Sequence, residues 1–251
     1  MKTDSFNLTS FSSISLEDMN KVKLRDRQDT KFVFNQNILP LLLDKLKPYY
    51  QILEINSMQT FAYENTYFDT EDFLFYKQHH NQNRERFKVR YRKYNSNDRL
   101  YFEIKTKNNK DRTIKNRLRI ARRNSMLGNP EKQLVSKIIG LSPQQLTPKL
   151  DVQFSRITLV DNSFNERLTI DTDLSVKNGI SSKIFNQLVI SEIKQKMYNP
   201  KSAFIQLLRE LKIPEMRFSK YCMGVLHIDR KVKYNRFKPK LLRINKILTQ
   251  D

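Results

Sequence analysis

Apolar and polar residues alternate with a period of two over most of the chain's middle and later parts. From Arg86 to Lys93 the basic residues Arg86, Lys88, Arg90 and Arg92 fall on one parity, and Phe87, Val89 and Tyr91 on the other. In a strand these would be opposite faces. The same reading predicts strands over 31–34, 63–68, 84–94, 100–107, 113–121, 150–160, 166–173 and 188–196. Asn-, Asp- and Ser-rich turns at 95–98 and 108–111 make 84–121 a run of antiparallel hairpins. Helical spacing predicts helices over 36–46, with Asn35 as N-cap and Pro40 early, and over 69–79, capped by Asp69. Further helices are predicted over 130–139, from Asn199-Pro200 with Phe204, Leu207, Leu208 and Leu211 on one face, and from Ser219 to about residue 228. Residues 1–24 read as a loosely ordered lead-in with a short helix near Leu16, 25–230 as one domain, and 231–251 as a basic, solvated tail.

The charges obey the strand period on strand after strand. Glu103, Lys105 and Lys107 oppose Phe102 and Ile104, while Lys115, Arg117 and Arg119 oppose Ile114, Leu118 and Ile120. Glu192, Lys194 and Lys196 oppose Val189 and Ile193, and Arg167, Thr169 and Asp171 oppose Leu168 and Ile170. One polar and one apolar face is usual for a half-solvated antiparallel sheet. The near-unipolar charge is not. The predicted fold is α+β: about eight antiparallel strands curled into a barrel with a basic tunnel inside and helices outside. Cations crowded away from water repel one another, and a linear phosphate chain would relieve both costs.

Composition supports an anionic partner. Lys plus Arg is 47 and Asp plus Glu is 26, a formal net charge of +21. The chain contains no GxxxxGK[ST] and no GxGxxG, which closes the P-loop and dinucleotide-fold routes to phosphate. The one cysteine, Cys222, forms no intrachain disulfide and fits a reducing compartment. No apolar run has signal-peptide or membrane-spanning length, so a cytoplasmic location is expected. Aromatics on the parity opposite the charges argue against nucleic acid, which prefers basic residues interleaved with exposed rings.

Five segments in order carry a family pattern: Arg27-x-Asp29-x-Lys31-Phe32, Tyr63-Glu64-Asn65-x-Tyr67-Phe68-Asp69, Lys88-Val89-Arg90-Tyr91-Arg92, Phe102-Glu103-Ile104-Lys105 and Ser219-Lys220-Tyr221. Over about residues 25–228 they resemble the VTC (vacuolar transporter chaperone) domain of polyphosphate polymerases, within the triphosphate tunnel metalloenzymes and related to the CYTH hydrolases. The resemblance implies transfer of the ATP γ-phosphate onto growing inorganic polyphosphate, with Mn²⁺ or Mg²⁺ as cofactor. It makes Arg90 and Arg92 the phosphate clamp, Lys220 the lysine that closes the tunnel, and Lys105 and Arg156 further catalytic contacts. Lys31, Lys115, Arg117 and Arg167 become phosphate contacts, and Lys88, Arg119 and Lys194 join them by parity.

Glu192 admits two readings, ion-pair partner and metal ligand, and the resemblance selects the ligand. Glu103 is a charge partner first and a second metal candidate, and Asp171 is expected to orient an arginine. Arg27-x-Asp29-x-Lys31 departs from the ExExK signature of the hydrolase branch, which favours polymerase over triphosphatase. Three functions stay open: a polyphosphate polymerase, a triphosphatase of the same fold, and a non-catalytic polyphosphate-binding module. Family analogy adds a membrane-bound partner and a place at the cytoplasmic face of a membrane. The tail's cations, Lys231 to Arg243, offer an acidic surface a second contact.

Overall fold

A computed structural model of the protein describes residues 6–19, 22, 24, 27–95, 98–110, 112–229 and 231–249. Its strands are β1 (Ser13–Ile14), β2 (Gln28–Asn35), β3 (Tyr50–Leu53), β4 (Thr60–Asp69), β5 (Arg86–Tyr94), β6 (Arg99–Lys107), β7 (Thr113–Ile120), β8 (Thr147–Asp161), β9 (Glu166–Lys177), β10 (Ser182–Ile184) and β11 (Leu188–Gln195). Its α-helices are α1 (Leu16–Met19), α2 (Leu39–Leu46), α3 (Leu74–His80), α4 (Asn129–Ile139), α5 (Ala203–Glu210), α6 (Lys220–Ile228) and α7 (Lys238–Leu248).

The eight strands predicted from alternation form one hydrogen-bonded path, β2–β11–β9–β8–β4–β5–β6–β7, antiparallel throughout. Its end strands β2 and β7 are not paired to each other among the described residues, so hydrogen bonds do not close the ring. The sheet curls nonetheless: the charge of Lys105 on β6 interacts with Lys31 on β2 and Glu192 on β11, far away along the strand order. The short strands β1, β3 and β10 were not predicted. Tyr50–Leu53 has three buried positions in four and too little alternation to announce a strand.

Burial follows parity. Phe87, Val89 and Tyr91 join Phe68, Phe102 and Ile104 under α3 and α4. The outer faces of β2, β8, β9 and β11 bury Phe32, Phe34, Ile157, Leu168 and Val189 against α2 and α5. On the charged parity, polar residues give way to Val33, Ile190, Phe154 and Val152, and α6 packs there. Gly224 of α6 lets the helix sit close, since a Cβ there would lie 2.6 Å from Leu150 and 3.0 Å from Val176.

Local chemistry accounts for the helix ends. Asn35 accepts from the Asn37 amide at 2.9 Å and caps the 3-10 turn leading into α2. Asp69, at the end of β4, accepts from the amides of Thr70, Phe75 and Tyr76 and from the Tyr221 hydroxyl, fixing α3 and α6 to the sheet. Ser202, rather than Asn199, caps α5.

Both ends of the chain are better packed than expected. In the lead-in, Leu8, Phe11 and Ile14 are buried and β1 pairs with β3 in parallel; residues 1–5 and most of 20–26 lie outside the described residues. The tail keeps its lysines outward but folds into α7, whose Ile244 and Ile247 are buried. Helical spacing of these two residues within a basic stretch was the signal passed over. The Asn35 side chain donates to the Ile247 carbonyl at 2.9 Å, tying α7 to β2.

Candidate active site

Strand register sets the charged side chains in rows. Lys88, Lys105 and Lys115 face one another across β5, β6 and β7; Arg90, Glu103 and Arg117 form the next row, and Arg92, Tyr101 and Arg119 the one after. Across the sheet, Lys31, Glu192 and Thr169 align on β2, β11 and β9, as do Asp29, Lys194 and Arg167.

Three carboxylates of the charged face, Glu103, Asp171 and Glu192, are each shared by cations. Glu103, 1% exposed, accepts from Arg90 Nε at 2.9 Å and Nη2 at 2.7 Å, pairs with Lys115, and lies 4.0 Å from Arg92. Burial pushes its carboxyl up, but Arg90, Arg92 and Lys115 outweigh this and hold it at about 2. Asp171 receives Arg156 through two bonds, at 2.6 and 2.8 Å, and Lys220 from the start of α6. Burial again opposes ionisation, and Arg156 and Lys220 bring this carboxyl to about 2. Glu192 lies between Lys31 and Lys194, which hold it well below the carboxylate range against burial.

The other cations lack such partners. Lys88, Lys105 and Arg167 make no hydrogen bond or ion pair among the described residues. Burial lowers Lys88 and Arg167, and burial with Lys88 brings Lys105 down to about 8. Lys194 is held at about 8 by burial, with Glu192 and Asp29 acting against it. Arg92 donates Nε to Asn65 at 2.8 Å, its one hydrogen bond among the described residues. Arg117 and Arg119 stand on the end strand β7 and are exposed, while Lys196 falls beyond the end of β11.

Part of the aromatic reading needs correction. Phe87 and Tyr91 do lie on the outer face, but Tyr63, Tyr67, Tyr94, Tyr101 and Phe154 share the charged parity. Phe154 stacks on Tyr63 with ring centroids 5.2 Å apart; Tyr63 meets Tyr94 at 5.1 Å and Tyr94 meets Tyr101 at 5.8 Å. Cations lie over this belt: Arg156 is 4.9 Å from the Tyr63 centroid, Arg92 5.4 Å from the same ring, and Lys220 4.4 Å from Phe154. Arg90 donates to the Tyr67 hydroxyl at 3.0 Å. The signal was present in Tyr63-x-Asn65-x-Tyr67, whose members share a parity. The rings hold the guanidinium planes through cation–π contact, which needs no anion.

The donor set suits a hard divalent ion only in part. No group of three or more Asp, Glu, His or Cys side chains able to hold a metal occurs among the described residues. Glu103 is engaged by Arg90 and Lys115, and Asp29 is engaged by Arg27 at 2.9 Å. Glu192 is engaged as well, by Lys31 and Lys194, so it could serve an ion only as a single carboxylate that the two lysines give up. A hard divalent ion here would need substrate phosphates and water for the rest of its ligands.

An antiparallel sheet curled around carboxylate-braced arginines and unpaired lysines is the architecture of a tunnel-fold phosphoryl-transfer protein. The family model of the VTC domain matches residues 26–228, and the chain belongs to this family. No curated protein matches it. Among solved structures it is similar to a Hippeastrum protein described as an adenylyl cyclase with a dominant triphosphatase activity, at 16% identity and a TM-score of 0.51 over 80% of this chain and 95% of that one. It is also similar to a Bacillus halodurans protein described as an adenylate cyclase, at 12% identity and a TM-score of 0.49 over 77% and 95%. A Pyrococcus horikoshii protein aligns at 14% identity and a TM-score of 0.44 over 80% and 98%. The first of these is a likeness of fold. Among the described residues no helix is long and apolar enough to cross a membrane.

Proposed function

We propose that the protein is a metal-dependent polyphosphate polymerase that transfers the γ-phosphate of ATP onto an inorganic polyphosphate chain. The observation that carries this reading is the division of the interior cations into two kinds. Arg90, Arg156 and Lys220 are fixed by buried carboxylates, with Arg92 4.0 Å from one of them, whereas Lys88, Lys105 and Arg167 have no carboxylate at ion-pair distance among the described residues. The fixed set is preorganised to grip a triphosphate, and the unpaired set extends a positive track beyond it, as a polymer requires and a small product does not.

In this reading Arg90 and Arg92 orient the triphosphate and Arg156 and Lys220 neutralise charge developing on the transferred group. Phosphoryl transfer rests mainly on such positioning and charge stabilisation. The acceptor is already an anionic oxygen, so no His or Cys base is needed. Lys31, Lys88, Lys105, Lys115, Lys194, Arg119 and Arg167 hold the rest of the polyanion. Glu192 would hold the divalent ion, which when bound neutralises phosphate oxygens and lowers the cost of charge in the transferring group.

Triphosphate hydrolysis is the second reading, favoured by the fold shared with the Hippeastrum protein described with triphosphatase activity. The engagement of Asp29 by Arg27 at 2.9 Å, with Lys194 4.0 Å away, favours polymerisation, because the carboxylate nearest Lys31 on β2 is already neutralised by cations. Incubating the protein with ATP and Mn²⁺ and resolving the products on a gel separates the readings. Long polymer is expected; accumulation of orthophosphate without polymer would replace this reading with the hydrolase, and no turnover would leave a binding module. Tripolyphosphate should also raise the melting temperature more than equimolar phosphate.

A further inference from the structure

The two ends of the charged face differ chemically. At one end the row is Lys88, Lys105 and Lys115, three ammonium groups in register. Four residues along β5, about 13 Å at strand spacing, the row is Arg92, Tyr101 and Arg119, and the aromatic belt begins. Phe154, Tyr63 and Tyr94 are each covered by a neighbouring ring and by Arg156, Arg92 or Lys220. Tyr101 ends the belt. Its ring meets Tyr94 at 87° and carries the Arg117 guanidinium 4.9 Å from its centroid. Arg117 is exposed and has no carboxylate at ion-pair distance among the described residues.

A guanidinium laid on a tyrosine, beside a second ring set edge-on, is a platform for a flat heteroaromatic ring. Bases stack on aromatic side chains and on arginine planes alike. Inorganic polyphosphate has no such group, but a nucleotide does. If the triphosphate lies against Arg90, Arg92 and Arg156, its nucleoside must leave the slender interior at one end, and the cation-topped ring Tyr101 stands at this one. We propose that Tyr101 and Arg117 form a nucleobase platform, so that the donor nucleotide lies with its base at the aromatic end and the inorganic chain follows the lysine row. This rests on the triphosphate-binding reading above and adds a base subsite and a polarity to it.

The test compares two ligands on the full-length chain by calorimetry: a non-hydrolysable ATP analogue with an imido β,γ-bridge, and tripolyphosphate. Tyr101→Ala should weaken the nucleotide about tenfold, within the range of one lost base stack, and leave tripolyphosphate within about twofold of wild type. Tyr101→Phe, which keeps the ring, should bind both ligands as wild type does. An equal loss for both ligands in Tyr101→Ala would overturn the platform and make Tyr101 a mere support for the arginines. Unchanged nucleotide affinity would overturn it as well. Wild-type protein that binds neither ligand would remove the triphosphate site itself, and the platform with it.

Discussion

Arg156 and Asp171 face each other across the β8–β9 pair, Nε to Oδ1 at 2.6 Å and Nη2 to Oδ2 at 2.8 Å. The same carboxylate takes Lys220, whose helix is also placed by apolar packing and by the Tyr221 hydroxyl on Asp69. Asp171 therefore couples a strand arginine to a helix lysine and sets the distance between two cations that would otherwise repel. At 3% exposure it has little water to turn to instead. A phosphate entering this pair meets two donors already aligned, without a reorganisation cost.

Asp171→Asn should leave Arg156 and Lys220 repelling across a partly wet gap. The expected loss is about 2–3 kcal/mol, below the roughly 3–5 kcal/mol of a fully dry broken pair. Tripolyphosphate should then stabilise the variant more than it stabilises wild type, because phosphate oxygens replace the missing anion. Urea unfolding with and without tripolyphosphate checks both. A variant as stable as wild type would end the counter-ion role.

Arg90 and Arg92 occupy the same strand but carry different burdens. Arg90 satisfies the buried Glu103, so Arg90→Ala should lower stability as well as activity. Arg92 is 4.0 Å from that carboxylate and, among the described residues, hydrogen-bonds Asn65 alone. Arg92→Ala should lower turnover by about 10²–10³, the scale of losing one preorganised charge donor, and cost stability less than Arg90→Ala does. Steady-state kinetics beside urea unfolding separates the two. Equal stability losses would contradict the difference in their anchoring.

What the sequence made legible follows from periodicity. All eight strands of the sheet path were readable because their two faces differ in charge as well as hydropathy, and a period of two needs only a few residues to appear. The counter-ions were harder to read. Glu103 and Asp171 lie on the basic parity, but which cation each serves depends on register, and only the pairings Glu103 with Arg90 and Arg117, and Asp171 with Arg156, fix it. The aromatic belt was passed over because Tyr63, Tyr94, Tyr101 and Phe154 come from four strands and meet only when these pair. Ile244 and Ile247 were masked by the lysines around them, a case of charge hiding helical spacing. The membrane-bound partner and the position at a membrane face came from family analogy alone and have no counterpart in the residues described.

Glu192→Gln should separate binding from turnover. Removing the carboxylate frees Lys31 and Lys194 from their shared anion, so tripolyphosphate without metal should bind as tightly as to wild type or more tightly. Turnover with Mn²⁺ or Mg²⁺ should fall at least about 100-fold if Glu192 is the ligand that places the ion. Metal titrations of activity together with metal-free calorimetry give the two readouts. Turnover like that of wild type would remove Glu192 from the metal site.

His79 gives the protein an acid sensitivity unrelated to its carboxylates. Burial, reinforced by Lys88 and Arg86, pushes the imidazole down from 6.5 to about 2, although its Nε2 lies 3.2 Å from the Phe87 carbonyl. The folded state thus keeps the ring neutral where the unfolded chain has taken up a proton. Stability from this group is complete above 6.5 and declines as pH falls towards 2, because the unfolded state binds more protons in that window. The slope is at most about 1.4 kcal/mol per pH unit. His79→Gln should flatten the stability profile between pH values of about 6 and 4, where this group contributes most. An unchanged slope by urea unfolding would show that the ring is already accessible to protons.

Gly224 is where helix chemistry and packing oppose each other. Alanine in a helix interior is favoured over glycine by about 1 kcal/mol, so Gly224→Ala would stabilise an unconstrained α6. Here the new methyl would lie 2.6 Å from Leu150 Cδ2 and 3.0 Å from Val176 Cγ1. Leu150 can rotate away, but Val176 is branched at Cβ and held in a strand, so the helix itself must yield. Overpacking of this kind costs about 1–3 kcal/mol, enough to reverse the propensity gain. Moving α6 outward would also draw Lys220 away from Asp171, four residues earlier on the same rigid helix. Gly224→Ala should therefore lower both the melting temperature and tripolyphosphate affinity, and the affinity loss should shrink in a Lys220→Met background, where no lysine remains to be displaced. A stabilised variant with normal affinity would show that α6 is not pressed against the sheet and that its lysine is placed some other way.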